Sequence, residues 1–289
     1  MRWLALLLAV ALALPASAKE RANRFSAMTY NIRLDLASDG DNAWPHRRGA
    51  VTALIAYHAP DLIGMQEVLL HQKQGIEADL PAYRFVGVAR DDGKEQGEFS
   101  PLGFRRDRFT LLASGTFWLS STPDVPSKGW DAALPRVASW ARLKDKTSRL
   151  TLLAVNTHFD HIGTEARLES ARQIRRWIGA NRKMGETVVL MGDFNSPLES
   201  PPHNAITHPV AGQIALHDTL AISRTPHFGP VGTFTGFKIE RNDPSSIDHI
   251  FVNDGTAVLR HATLTQQTSG KLPSDHYPVL ADLCVGKDC

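Results

Sequence analysis

The chain has 289 residues, of which 43% are hydrophobic and 21% are charged, a composition typical of globular proteins. Its formal net charge is +2, which leaves it poorly equipped to neutralise the many phosphates on which non-specific nucleic-acid binding depends. The two cysteines, Cys284 and Cys289, show no zinc-site or nucleophile pattern, although export would permit a disulfide between them. The length fits one large domain or two smaller ones with a substantial core.

The first 18 residues have the pattern of a secretory signal peptide. Arg2 precedes an apolar run from Trp3 to Leu14, and Pro15-Ala16-Ser17-Ala18 offers a small-residue cleavage site. The apolar run is too short to span a bilayer, and a buried N-terminal helix is the less favoured alternative. We therefore predict cleavage near Ala18, a mature domain over residues 19–289 without a transmembrane segment, and a secreted or periplasmic location.

The rest of the chain alternates strand-like apolar runs with amphipathic segments. In chain order, strands are predicted at residues 25–30, 62–66, 83–88, 110–113, 137–143, 150–156, 187–191, 247–253 and 277–283. Helices are predicted at residues 47–58, ended by Pro60, and at residues 165–178. Residues 91–101 and 120–135 have the length of functional loops. Mixed strands with interspersed helices predict an α/β layered domain.

Polar residues that suit a metal or a phosphate stand where many of these strands begin or end. Asp193 and Asn195 follow a buried apolar strand and are two residues apart, which places them on the same face of an extended chain. Any one such residue has an ordinary explanation, as a turn former, a helix cap or a core histidine. Their shared placement indicates one site, and carboxylates and amides with two histidines favour Mg²⁺ or Mn²⁺ over zinc.

Six motifs, in this order, resemble those of the endonuclease/exonuclease/phosphatase superfamily. They are Tyr-Asn-Ile (30–32), Gln-Glu-Val (66–68), Asn-Thr-His (156–158), Gly-Asp-Phe-Asn (192–195), Ile-Asp-His-Ile (247–250) and Ser-Asp-His-Tyr-Pro (274–278). This superfamily includes pancreatic-type deoxyribonucleases, abasic-site endonucleases, neutral sphingomyelinases, inositol polyphosphate 5-phosphatases and deadenylases. The resemblance implies a four-layered α/β/β/α sandwich with two mixed β-sheets, in an exported bacterial-type branch. The motifs do not distinguish between the branches.

The resemblance also implies a role for each acidic and amide residue of the motifs. Glu67 is expected to be the principal metal ligand, with Asn31 beside it and Asp275 as a further carboxylate on the metal side. Asp193 and Asn195 are expected to bind the scissile phosphate and to orient the attacking water.

Two histidines complete the catalytic set that the resemblance implies. His276 is expected to act as a base or a phosphate ligand, held by Asp248 through its other ring nitrogen. His158 is expected to donate a proton to the leaving oxygen or to hold a phosphate oxygen, as the deoxyribonuclease-like members suggest. Glu98 is the candidate partner of His158.

The chain departs from the nuclease branches in residues that surround these motifs. Arg33 stands where the abasic-site enzymes carry an aspartate, and no basic cluster with interleaved aromatics is evident. Instead, loops carry candidate substrate-binding residues suited to a sugar face or a headgroup beside a phosphate, namely Trp44, Arg47, Trp130 and Arg136. The loop tryptophans equally fit a role in covering sheet edges.

These observations support three functional hypotheses. The favoured one is a Mg²⁺- or Mn²⁺-dependent phosphodiesterase, monomeric, that hydrolyses a small-molecule, sugar-linked or lipid-headgroup phosphodiester by in-line attack of water. The first alternative is a secreted Mg²⁺-dependent nuclease acting on DNA or RNA, which the near-neutral charge does not favour. The second alternative is a non-catalytic binding module built on the same scaffold.

Overall fold

The computed structural model describes residues 23–208, 210–240, 244–286 and 289. The predicted signal peptide and its cleavage site lie outside the described residues. Among the helices of the described ranges, none combines the length and the apolar character needed to cross a membrane.

The strands form two mixed sheets of six strands each. The first sheet contains β1 (Arg24–Asn31), β2 (Leu62–Gln66), β3 (Tyr83–Val86), β4 (Leu102–Arg105), β11 (Thr256–Thr263) and β12 (Val279–Val285), in the order β11-β12-β1-β2-β4-β3. The second sheet contains β5 (Phe109–Trp118), β6 (Val137–Asp145), β7 (Thr151–His158), β8 (Thr187–Asp193), β9 (Leu216–Asp218) and β10 (Asp248–Asn253), in the order β5-β6-β7-β8-β10-β9.

The helices cover the outer face of each sheet. They are a 3₁₀ helix (Ala37–Asn42), α1 (Trp44–His58), α2 (Leu70–Asp79), α3 (Thr164–Asn181) and α4 (Pro201–Thr207). One apolar cluster joins α1 and α2 to the first sheet, a second joins α3 and α4 to the second sheet, and a third fills the space between the sheets. This arrangement confirms the predicted four-layered α/β/β/α sandwich.

Local sequence pattern located most strands but missed elements whose apolar face is weak. The predicted strand 62–66 is β2 as observed, and α3 extends the predicted helix at both ends. Helix α2 was not predicted, because Gln72 and Ile76 are its only buried residues among those the structure describes, so its apolar periodicity is slight. Strands β4, β9 and β11 and helix α4 were also not predicted. Cys284 and Cys289 form a disulfide.

Strand directions bring the polar strand ends to one edge of the sandwich. β1 runs parallel to β2 in the first sheet, and β7 runs parallel to β8 in the second, so the carboxyl ends within each pair lie side by side. β12 is antiparallel to β1 and β10 is antiparallel to β8, so these two strands begin where their partners end. Asp248 is accordingly paired in register with Asp193.

A buried amide ties the two sheets together next to that edge. Asn156 of β7 donates from Nδ2 to the carbonyl oxygens of Met65 (2.8 Å) and Pro101 (3.0 Å), and its Oδ1 accepts from Gln66 at 2.7 Å. The close approach requires glycine at position 64, since a Cβ there would lie 2.3 Å from Asn156 Oδ1. This fixed contact holds the strand ends of one sheet against those of the other.

Candidate active site

The strand ends surround a cavity of about 360 Å³. Most of the predicted catalytic and metal-binding residues line it. The lining residues are Arg33, Leu34, Glu67, Glu98, Leu134, Arg136, His158, His161, Asp193, Asn195, Phe234, Ile247, Asp275 and His276. The distant motifs therefore meet at one place, as their shared position at strand ends predicts.

One side of the cavity is a group of carboxylates suited to a divalent cation. Asn31 donates to Glu67 Oε1 at 3.0 Å, and the backbone N–H of Leu34 donates to Glu67 Oε2 at 3.2 Å. Arg33 lies 3.8 Å from Asp275 and 3.9 Å from Glu67. Burial and then the charge of Glu67 raise the pKa of Asp275, against the opposing effect of His276 and the arginines. Two partly buried carboxylates that repel each other make a hard-oxygen donor set that fits Mg²⁺ or Mn²⁺.

Asp193 stands at the centre of the cavity lining. Its Oδ2 accepts a hydrogen bond from Asn31 Nδ2 at 3.0 Å, and it lies 3.6 Å from His158 Nε2 and 3.8 Å from His276 Nε2. Burial, followed by the charge of Asp248, raises the pKa of Asp193 to about 7, although His276 and Asn31 act in the opposite direction. A carboxyl group with such a pKa exchanges protons readily at neutral pH.

His276 is held as an imidazolium by Asp248. Its Nδ1 lies 2.8 Å from Asp248 Oδ2, and the ring rests 5.0 Å from that of Phe234. Burial lowers the pKa of His276, but the charge and hydrogen bond of Asp248, with the charges of Asp193 and Asp275, raise it well above the ordinary value. The ligand atoms of Asp193, Asp248 and His276 lie within 4.8 Å of one another. Since Nδ1 is already committed to Asp248, we interpret this group as an acid–base network.

His158 differs from His276 in its protonation. Burial lowers its pKa well below the ordinary value, and the charges of Arg136 and Arg90 lower it further. Asn195 Nδ2 lies 3.2 Å from His158 Nε2, so this nitrogen accepts and the ring proton is on Nδ1. Glu98 Oε2 is 3.9 Å from Nδ1 but 2.8 Å from Arg90, which is therefore its closer partner.

Arg136 contributes a buried positive charge to the cavity wall. Its Nε donates to Asp160 Oδ2 at 3.3 Å, and Nη2 donates to His161 Nδ1 at 3.0 Å. Asp160 is itself held by the backbone N–H groups of Ala133 and Gly163. Within the described part of the chain, Arg136 Nη1 is buried without a hydrogen-bond partner.

The structure does not bring the other predicted substrate-binding residues to the cavity. Trp44 is the first residue of α1 and is buried in the core, and its backbone N–H donates to Asp35. Arg47 is also buried, and it donates to the carbonyl oxygens of Ile32 and Pro273, so it braces two loops. Trp130 is 39% exposed and is not among the lining residues. The side chains of Trp44 and Arg47 are buried because they lie on the inward face of the amphipathic helix α1.

Sequence reasoning also missed residues that the cavity contains. Arg33 was named only as a departure from the abasic-site enzymes, and His161 was not among the predicted site residues, yet both line the cavity. Leu134 and Phe234 add apolar surface to the same wall. Glu98 and Leu134 lie in the segments 91–101 and 120–135, which were predicted to be functional loops.

Comparison with known proteins agrees with this geometry. A model of the endonuclease/exonuclease/phosphatase family matches residues 28–276, and the chain belongs to this family. A mannosyl-6-phosphatase from Bacteroides thetaiotaomicron is 37% identical over 90% of this chain and 99% of its own, with a TM-score of 0.83. A family member from Bacteroides vulgatus is 39% identical over 91% of this chain and 99% of its own, with a TM-score of 0.84. The chain is thus a hydrolase of phosphate esters.

Matches of lower sequence identity say less about this chain. A zebrafish (D. rerio) TDP2 bound to single-stranded DNA is 17% identical over 90% of this chain and 98% of its own, with a TM-score of 0.69, and shows the fold alone. Two uncharacterised proteins of Acanthamoeba polyphaga mimivirus are 28% and 24% identical. The chain spans 59% and 26% of the length of these curated relatives.

The role of Glu67 can be tested without an activity assay. We expect Glu67→Gln to weaken Mn²⁺ binding at least about tenfold, because an amide oxygen replaces the carboxylate that faces the cavity. Isothermal titration of the metal-free protein measures this directly. Glu98→Gln removes the same charge from the same cavity and serves as the matched control. Equal affinities in both variants would show that the cation binds elsewhere.

Proposed function

We propose that this protein is a Mg²⁺- or Mn²⁺-dependent phosphatase of a small phosphorylated sugar. The observation that carries the proposal is the cavity of about 360 Å³, whose lining contains both the group of carboxylates and the buried Arg136. A sugar phosphate fits such a cavity, whereas a nucleic-acid strand needs an extended basic surface. The 37% identity to a mannosyl-6-phosphatase supports the same substrate class.

We propose a monoester substrate, and not the diester that the sequence favoured, because of the positive charges in the cavity lining. A terminal phosphate carries up to two negative charges, and the cavity lining holds two guanidinium groups, those of Arg33 and Arg136. His276 adds a third positive charge. Arg33 lies within 4 Å of Glu67 and Asp275, and among the described residues Arg136 Nη1 has no hydrogen-bond partner, which suits donation to the non-bridging oxygens of one phosphate.

The side chains support an in-line attack by water. Asp193, with its pKa near 7, accepts the proton of the attacking water, and Asn31 keeps its carboxylate in position. The imidazolium of His276 donates from Nε2 to a phosphoryl oxygen, because its Nδ1–H is held by Asp248. Neutral His158 and Asn195 line the same cavity. The bond from phosphorus to the sugar oxygen breaks, that oxygen takes a proton from solvent water, and Asp193 returns its proton to solvent. A cation held by Glu67 and Asp275 would neutralise charge on the phosphoryl oxygens.

A substrate panel on the mature protein tests this function. It compares hexose 6-phosphates, including mannose 6-phosphate, with their methyl diesters, bis-p-nitrophenyl phosphate, sphingomyelin and plasmid DNA, each with Mg²⁺ and Mn²⁺. We expect the highest kcat/KM on a sugar monoester, abolished by Glu67→Ala. A higher kcat/KM on diesters than on monoesters would instead support a phosphodiesterase. Plasmid nicking with steep salt dependence would favour the nuclease. No hydrolysis by a folded protein would indicate a binding module.

Arg136 is expected to bind the substrate rather than to activate it. Arg136→Met should raise KM for a sugar phosphate about tenfold to a hundredfold and change kcat much less, since one charge-assisted hydrogen bond is lost. Asp160 keeps its backbone donors in this variant, so the loops around it remain satisfied. Steady-state kinetics separates the two constants.

The matched control for Arg136→Met is Arg260→Met, at an exposed arginine that pairs with Asp282 on the outer sheet edge. It should leave both constants at the wild-type values. A fall in kcat without a change of KM in Arg136→Met would contradict a binding role.

A further inference from the structure

A second cluster of buried ionisable groups lies behind the cavity. It joins His203 of α4, Asp218 of β9 and His249 of β10. Asp218 Oδ2 lies 3.1 Å from His203 Nε2 and 2.9 Å from His249 Nδ1. His249 directly follows Asp248, but successive residues of a strand point to opposite faces, so Asp248 faces His276 and His249 faces the helical layer.

Hydrogen bonding assigns the protons of this cluster. The backbone N–H of Glu199 donates to His203 Nδ1 at 3.3 Å, so His203 carries its proton on Nε2 and donates it to Asp218. His249 Nε2 lies 3.0 Å from the carbonyl oxygen of Ser196, which can only accept. Its Nδ1 faces Asp218, so both nitrogens of His249 are donors and the ring is an imidazolium.

The positions of these protons indicate that the cluster is an ion pair and not a metal site. Three ligand atoms of the cluster lie within 4.8 Å of one another, as a metal site would require. A metal would need lone pairs on His203 Nε2 and His249 Nδ1, and both atoms carry protons. Burial raises the pKa of Asp218, but the hydrogen bonds of His203 and His249 lower it well below its ordinary range. The cluster is therefore a buried carboxylate between an imidazolium and a neutral imidazole.

The imidazolium is connected to the cavity through a short segment of backbone. Ser196 follows Asn195, whose amide faces His158 and whose backbone has a left-handed φ of 45°. A residue other than glycine keeps such a conformation when the structure around it constrains the backbone. On one side Phe194 N donates to the carbonyl oxygen of Ile247 at 2.8 Å, and on the other side the Ser196 carbonyl accepts from His249.

We propose that His249 is a positioning residue for phosphoester hydrolysis. Its imidazolium is anchored by Asp218, which also accepts a hydrogen bond from His203. It donates to the Ser196 carbonyl and thereby fixes Asn195 in the cavity. This inference rests on the proposed function only in so far as Asn195 contacts the phosphate. The Phe194 ring lies 5.8 Å from that of His249, so the same contact also sets how the segment packs on the second sheet.

Two substitutions of His249 separate its two hydrogen bonds. The amide nitrogen of glutamine lies near the position of Nε2, and that of asparagine lies near Nδ1. We expect His249→Gln to keep the donor to Ser196 and most of kcat, and His249→Asn to lose about tenfold to a hundredfold in kcat, because small misplacements of a catalytic group carry such penalties. Thermal unfolding of both variants checks that each is folded. Equal kcat in the two variants would overturn the proposal.

A double-mutant cycle with Asn195→Ala tests the route of the effect. If His249 acts through Asn195, His249→Asn should lower kcat much less in the Asn195→Ala background than in the wild type. An unchanged fold-loss in that background would overturn the proposal. The assays use p-nitrophenyl phosphate, so the cycle remains informative even if the natural substrate is not a sugar phosphate.

A spectroscopic readout is independent of any substrate. Ring ¹⁵N shifts of the histidines should show imidazolium signals for both His249 and His276 at neutral pH. The signal of His249 should disappear in His249→Asn and be kept in the control His217→Gln, at an exposed histidine paired with Asp254. A neutral ring for His249 at that pH would overturn the proposed ion pair while leaving the proposed phosphatase activity untouched.

Discussion

Replacement of His276 by asparagine is expected to lower kcat by about 10²–10⁴-fold while the protein stays folded. The amide nitrogen of asparagine lies near the position of Nδ1, so it keeps a donor to Asp248 and avoids a buried carboxylate without a partner. The variant lacks the Nε2–H that faces Asp193 and the cavity, together with the positive charge of the ring. Single-turnover or steady-state kinetics on a sugar phosphate, with thermal unfolding in parallel, measures the loss.

A second substitution tests the charge on His276 separately from the ring. Asp248→Asn leaves the ring but removes the carboxylate whose charge and hydrogen bond raise its pKa. The imidazolium is then lost at lower pH, so the alkaline limb of the kcat profile should move to lower pH. The control His217→Gln, at an exposed histidine, should behave like the wild type. Wild-type kcat in His276→Asn would refute a catalytic role for this histidine.

Replacement of Asp193 by asparagine is expected to lower kcat/KM by about 10²–10⁴-fold, since the variant has no carboxylate to accept the proton of water. The wild-type pH dependence should report the same group. Only the ionised carboxylate accepts a proton, and its pKa is raised to about 7, so kcat/KM should rise as pH increases towards 7 and level off above it. His276 remains charged through this range, because its pKa is raised, and adds nothing to that limb.

The pH profile of the variant supplies the decisive comparison. In Asp193→Asn the residual kcat/KM should be flat across the acid range, whereas Asp282→Asn, which removes an outer carboxylate paired with Arg260, should keep the wild-type limb. A limb that persists unchanged in Asp193→Asn would assign it to another group, and would contradict the role of Asp193 as proton acceptor.

The residues that could be located from the sequence are those at strand ends. Apolar runs indicate where four strands stop. Asn31, His158 and Asp193 are the last residues of β1, β7 and β8, and Glu67 directly follows β2. These residues could be placed near one another because a strand end is a local property, and because parallel neighbours end at the same edge of a sheet. The four-layered fold was predictable for the same reason, through the family that these motifs resemble.

The contacts that residues make with distant parts of the chain were not predictable, even where the residue itself, such as Arg136, was a candidate. In the sequence Trp44 precedes the predicted helix and Arg47 begins it, so both lie in or near a loop, yet α1 begins at Trp44 and buries both. Arg136 became a cavity residue because Asp160 and His161, from the segment after β7, meet it there. No pattern in the local sequence contains these contacts.

By itself the sequence determined which chemical groups the site contains and the order in which the chain supplies them, since both follow from short motifs and strand periodicity. Only the tertiary structure decided the protonation of the histidines. His158 and His276 are buried in the same cavity, but Asp248 makes one an imidazolium, while arginines and the Asn195 amide keep the other neutral. Charge depends on burial and on neighbours that are far apart along the chain, and these exist only after folding.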